Sequence, residues 1–228
     1  MKKIAMLVLF VVCGICTHAQ QLSQVTFSGA STLTYFSFVT DGNVLIRISS
    51  DGKVMEWGTE EQSLRIPNYY APKLLGYPGR VDYYGPETDS AARGKVQTIG
   101  SARITYYGTG SLRYQLGKIR TIGSQMFDYY TNFDNEAIAG KIKSMGVNQV
   151  SYYAGYDNAA YAGKLKAVGN TAITYYSSFD DKLIKGKLKS IGNVNYSWYT
   201  SLDAAGYGGG LKSGLMRQPV NGVTYILY

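Results

Sequence analysis

The residues that could do chemistry in this chain recur at a fixed interval. Lys95, Lys118, Lys141, Lys164 and Lys187 stand 23 residues apart, each directly after a glycine (Gly94, Gly117, Gly140, Gly163 and Gly186). Aromatic pairs keep the same interval: Tyr106-Tyr107, Tyr129-Tyr130, Tyr152-Tyr153, Tyr175-Tyr176 and Trp198-Tyr199. A second basic column, Arg120, Lys143, Lys166, Lys189 and Lys212, follows two residues behind the first, with Gln97 as its gap. Ammonium groups beside aromatic rings are the chemistry of a cationic track that holds an extended polyanion or a glycan. The competing reading is a solvated face that keeps sheet edges soluble. On the first reading the five glycine-linked lysines and the ten paired rings are the candidate binding residues.

A third column, Asp134, Asp157, Asp180 and Asp203, supplies one carboxylate per unit, with Asn135, Asn158 or Asp181 beside it. Calcium takes about six to eight oxygen ligands, so this set is too sparse for a metal site. Capping of the turn backbone is the expected role, and no metal or cofactor is assigned.

Nucleophilic and zinc chemistry is limited by where cysteine and histidine lie. Cys13, Cys16 and His18, the whole complement of both types, fall within residues 1–19. That segment has a basic start (Lys2, Lys3), an apolar run from Ile4 to Cys16 and small residues up to Ala19, the pattern of a secretory signal peptide. Cleavage after Ala19 leaves a chain without disulfides, without a Ser-His-Asp triad or Cys nucleophile, and without His or Cys to hold zinc. The expected location is the periplasm, the cell surface or the medium, with no membrane span after cleavage. Lys2 and Lys3 account for two of the eight net positive charges, so the mature chain carries +6. Such a field favours anionic partners such as acidic polysaccharide, lipid head groups or nucleic acid, or serves solubility with no partner at all. The expected partner is a polysaccharide or another cell-envelope component, and no nucleic acid.

The elements that position these columns follow from the unit itself. In Gly186 to Gly208, Lys187 to Ile191 reads as a short strand, Gly192-Asn193 as a turn, and Asn195 to Thr200 as a second strand rich in β-formers. The unit runs five times from Gly94 without insertion, and Val81-Asp82-Tyr83-Tyr84 is a degenerate forerunner. A period of this length marks an array whose units bury apolar surface only against neighbours. Equivalent residues should lie two strand spacings, about 9.5 Å, apart. One ring of each pair should enter the core with the Val96, Ile119, Ile142, Leu165, Leu188 column or the Ile99, Ile122, Met145, Val168, Ile191 column. The two basic columns, two residues apart, should share a face.

Upstream, Leu33 to Thr40 and Asn43 to Ile48 flank Asp41-Gly42, and Asp51-Gly52 leads to Lys53 through Trp57: two tight turns in a three-strand meander. The predicted organisation is a signal peptide (1–19), an N-terminal β-meander cap on the first repeat edge (20–58), a Pro-containing connector (59–80), a β-hairpin array (81–208) and a C-terminal capping segment (209–228). The fold class is all-β, an antiparallel meander of tandem hairpins in a curved or curling sheet.

Phe179-Asp180 followed by Gly186-Lys187-Leu188-Lys189-Ser190-Ile191-Gly192, with Tyr156-Asp157, resembles the tyrosine/aspartate hairpin repeats called YD or RHS repeats. That resemblance implies long curling β-sheets in secreted and surface proteins. The doubled tyrosines with Trp198 are similar to aromatic cell-wall-binding repeats, which hold choline or glucan between rings. Neither resemblance transfers a catalytic residue. The expected protein is a non-catalytic binding or scaffolding module; the alternatives are a shell or spacer without ligand, and a glycoside-acting enzyme working through Glu56, Glu60, Glu61, Glu87 or Glu136.

Overall fold

The computed structural model describes residues 20–61, 72–203 and 206–228. They form twenty strands and no helix, so no helix among them is long and apolar enough to cross a membrane. The repeat folds as hairpins. β6 (Val81–Tyr83), β7 (Val96–Ile99), β8 (Ala102–Tyr106), β9 (Ile119–Ile122), β10 (Gln125–Tyr129), β11 (Ile142–Met145), β12 (Asn148–Tyr152), β13 (Leu165–Val168), β14 (Thr171–Tyr175), β15 (Leu188–Ile191) and β16 (Val194–Asn195) make an 11-stranded sheet ordered as in the sequence. β17 (Ser197–Trp198) then pairs with β18 (Leu211–Ser213). The forerunner at Val81 is thus the first strand of the array. Within a hairpin the reversal needs one left-handed residue, and Gly146 supplies it at φ 58° between β11 and β12.

A bulge in each unit decides which side chains face where. Between β10 and β11 the pairs run Asp128 to Ser144 and then Tyr129 to Ile142, so Lys143 is an extra residue without a partner. The same slip falls at Asp82/Tyr83, Thr105/Tyr106, Ser151/Tyr152 and Thr174/Tyr175. A bulge bends the strand and re-aims the residues around it. Ile142 and Met145, three apart, would face opposite ways on a regular strand; here both are buried, with Lys143 exposed between them. Both apolar columns therefore enter the core, where alternation predicted one. The same bulge separates the two basic columns expected to share a face: Lys141 is half-buried and Lys143 stands in solvent.

The remaining strands form a second sheet. β1 (Gln21–Ser28), β2 (Thr32–Val39), β3 (Leu45–Ile48), β4 (Val54–Glu60), β5 (Leu74–Gly76), β19 (Arg217–Val220) and β20 (Val223–Leu227) lie in the order β19-β20-β1-β2-β3-β4-β5. β1 was not expected; Gln24 and Thr26 are buried along with Val25 and Phe27, which erases the alternation that reveals a half-exposed strand. The C-terminal strand leaves the array and pairs parallel with β1, the one parallel pairing among the described residues. β5 lies within the expected connector, and residues 62–71, with Pro67, fall outside the described residues.

The meander does not cap the first repeat edge. It lies along the face of the array, and one core holds Phe27, Phe36, Phe38 and Ile46 together with Ile104, Ile119, Phe127, Ile142 and Ile173. The rings of Phe38 and Phe127 are 5.2 Å apart. Its turns reach successive units: the Gly52 carbonyl accepts from Ile119 N–H at 3.1 Å, Ser50 from Ile142 at 2.8 Å and Ala30 from Leu188 at 2.8 Å. Two sheets with one apolar face each exclude water by stacking, whereas an end cap would leave the apolar columns wet. Gly52 permits the close approach, since a Cβ there would sit 2.1 Å from the Tyr129 hydroxyl.

Candidate binding surface

The first basic column is turned into the fold. Lys141 stands 5.0 Å from the ring centre of Tyr152 and donates to the carbonyl of Gly163, the glycine that opens the next unit. Lys95 does the same with Tyr106 at 4.9 Å and Gly117, and Lys118 with Tyr129 at 4.8 Å and Gly140. Lys164 repeats it with Tyr175 at 5.2 Å and Gly186, and Lys187 with Trp198 at 4.9 Å and Gly209. Burial holds all five ammonium groups below the ordinary 10.5. Each lysine is a staple between units, with its charge spent on a carbonyl and a ring.

The aromatic pairs are drawn into the same lattice. The first ring of each pair lies inward: Tyr129 donates to the Ile119 carbonyl at 2.7 Å, Tyr106 to Val96 at 3.0 Å, and the Trp198 indole to Leu188 at 2.7 Å. Tyr152 and Tyr175 occupy the same place, buried, with no hydroxyl partner among the described residues. Burial raises the phenol pKa of Tyr129, Tyr152 and Tyr175. The second ring was expected on the opposite face. It leans onto the next unit instead, because each long strand ends at the first tyrosine and the following ring swings along the array. Tyr107 donates to Phe127, Tyr130 to Val150, Tyr153 to Ile173 and Tyr176 to Tyr196, at 2.8 to 3.0 Å. Its ring meets the next inner ring edge to face, as in Tyr130–Tyr152 at 6.1 Å. Tyr199, at the end of the series, packs against Tyr207 at 5.3 Å.

What remains open to solvent is the second basic column. Lys143, Lys166, Lys189 and Lys212 are exposed and lie over Tyr130, Tyr153, Tyr176 and Tyr199 at 5.9, 5.2, 5.7 and 5.4 Å. Arg120 is the exposed member before them.

Beside this row run the inter-unit loops. Asp134 accepts from the Thr131 amide at 2.6 Å, and Asp157, Asp180 and Asp203 accept equivalent bonds from Ala154, Ser177 and Thr200. The Thr200 amide first, then the Lys212 ammonium, draws Asp203 down to about 2. A second set of contacts ties loop to loop: Asn135 accepts from Gly155 N–H at 2.9 Å and Asn158 from Ser178 N–H at 3.1 Å. The loops are thus fixed and in register. The residue before each aspartate is large, apolar and unsupported: Phe133, Tyr156, Phe179 and Leu202 are 100, 84, 94 and 95% exposed. Lys212 bonds Asp203 at 2.9 Å, so at the last unit this row and the outer basic row border one another. The row was legible as a 23-residue column of apolar residues inside polar loops, but its changing residue type hid it.

Three of the five glutamates weighed for glycoside chemistry form ion pairs. Glu56 holds buried Arg47 at 2.6 Å, Glu60 holds Arg217, and Glu61 faces Lys73 at 3.8 Å. Glu87 and Glu136 are exposed. Among the described residues no three acidic, His or Cys side chains gather as a metal site would require. Set against known protein families, curated proteins and solved structures, the chain matches none of them.

Proposed function

We propose that this is an exported, non-catalytic binding or scaffolding module whose ligand is an extended acidic polysaccharide of the cell envelope. The observation that carries the reading is the row Phe133, Tyr156, Phe179 and Leu202: large apolar side chains held in water, in register, with no packing role. A regular row of exposed apolar side chains rimmed by polar residues is the kind of surface that marks an interaction site. The adjoining Lys143, Lys166, Lys189 and Lys212 supply positive charge along the same edge. At about 9.5 Å per unit, a sugar chain laid along the edge meets rings by stacking and cations by ion pairing. The inner lysines, bonded between units, and the paired rings, packed into the array, take no part.

The test is affinity electrophoresis in gels cast with polygalacturonate or with neutral dextran. The native chain should be retarded by the acidic polymer, less so at high salt. F133S/Y156S/F179S/L202S and K143Q/K166Q/K189Q should each migrate freely with their melting temperatures intact. Free migration of the native chain at low salt rejects the reading and leaves a shell or spacer. Export is tested by fractionating the producing cell and sequencing the N-terminus of the recovered protein, which should begin at Gln20.

A further inference from the structure

We propose a second binding site, for an uncharged oligosaccharide, in the cleft at one end of the molecule where the two sheets part. The cleft has a volume of about 1130 Å³, beyond the roughly 300–1,000 Å³ usual for small-ligand sites. It is framed by the start of β1, by the β2–β3 and β19–β20 turns, and by the repeat turn after β11. Six amide side chains line it: Gln20, Gln21, Asn43, Gln125, Asn148 and Asn221. Among the described residues Asp41 is the only ionisable group in the lining, in a chain with 23 lysines and arginines.

That composition selects a ligand class. A primary amide offers two donors and an acceptor oxygen without charge, which matches hydroxyl groups that both donate and accept. Among the described residues no cation lines the cleft, so a polyanion would meet only Asp41 and be repelled. A wholly apolar ligand would bury the amides without partners, which is unfavourable. No aromatic ring of the described residues lines it either, which removes the stacking platform a nucleobase uses. Leu22, Val39 and Val223 provide an apolar floor for the C–H faces of pyranose rings.

The amides are also held in place. Asn43 and Asn221 sit in left-handed turn positions, at φ 61° and 49°. The Asn221 amide donates to the Thr171 hydroxyl at 3.0 Å, which leaves its oxygen as an acceptor. Gln125 and Asn148 belong to one repeat column, and glycine makes room for the first: a Cβ on Gly146 would fall 1.7 Å from Gln125 Oε1. The Gln20 amide and the Ser101 hydroxyl both donate to Asp41, at 3.5 and 3.3 Å, which keeps that carboxylate at the rim.

This site is independent of the loop edge, and one experiment separates them. The side-chain amide resonances of the nitrogen-15-labelled protein are followed at high salt, which suppresses binding at the cationic edge. The probes are maltohexaose, cellohexaose and an N-acetylglucosamine tetramer, with trialanine as the peptide control. At least one sugar should shift Gln125 and Asn148, and Asn148→Leu should weaken it about tenfold, the effect of one lost hydrogen bond. Gln21→Leu, at an exposed position, gives the same readout should the first variant fold poorly. F133S/Y156S/F179S/L202S should bind the sugar unchanged. Silence with all three sugars, shifts produced by trialanine alone, or loss in the loop variant with retention in Asn148→Leu each overturns the assignment.

Discussion

Replacing Lys141 by Met tests whether the inner lysines are staples of the array. Methionine keeps a straight apolar stem over Tyr152 and removes only the ammonium. The lost bond to the Gly163 carbonyl has a charged donor and contributes about 1.5–3 kcal/mol. The ring contact adds about 1 kcal/mol. Relief of the half-buried charge offsets part of both, which its depressed pKa registers. The expected net loss is about 1–2 kcal/mol for one lysine, a drop of roughly 2–8 °C in melting temperature for a chain of this size. The control is Lys143→Met, two residues away and exposed, which should stay within about 0.5 kcal/mol of the native chain. Thermal and urea unfolding followed by circular dichroism measure both. Equal midpoints for the two variants would refute the staple, because the burial and bonding that distinguish Lys141 from Lys143 would then carry no energy.

Two further outcomes follow from the same geometry. Between their depressed folded values and the ordinary 10.5, the inner lysines bind fewer protons in the folded chain, so stability rises with pH there. Tyr129 and Tyr152, raised by burial, keep protons that the unfolded chain loses above 10.0, so stability falls beyond it. Urea midpoints measured against pH should therefore peak near about pH 10; a monotonic fall from neutrality would contradict the lysine burial. Within one glycine column, Gly94→Ala meets open space at φ 73° and should lose only about 1–2 kcal/mol of left-handed strain. Gly186→Ala, at φ 75°, places its Cβ 2.7 Å from the Ala160 carbonyl oxygen and should lose clearly more; equal losses would mean that the loop backbone yields freely.

Much of the fold is legible in particular residues. The Gly192-Asn193 type of turn, the β-rich run after it and the invariant interval give hairpins, because glycine tolerates the left-handed turn and β-branched and aromatic residues fit a pleated surface. The aspartate column reads as turn capping because one carboxylate per loop can reach the amide three residues back. Other features were not legible. Ile142 and Met145 lie three apart, which fits neither face of a regular strand, and only the pairing with Tyr129 reveals the bulge that buries both. Lys141 and Lys143 look alike in sequence; their different fates depend on a carbonyl 22 residues onward and on that bulge.

The spacing of residues along the chain is enough to specify a periodic, all-β array whose equivalent residues form rows, since units of equal length and like pattern stack in register. Which rows are packed and which face solvent depends on the folded arrangement. Each inner lysine bonds a carbonyl of the next unit, the outer tyrosines reach others there, and the N-terminal sheet covers the array's apolar face because that face has nowhere else to exclude water. Those choices depend on contacts between residues far apart in the chain, and local spacing holds no record of them.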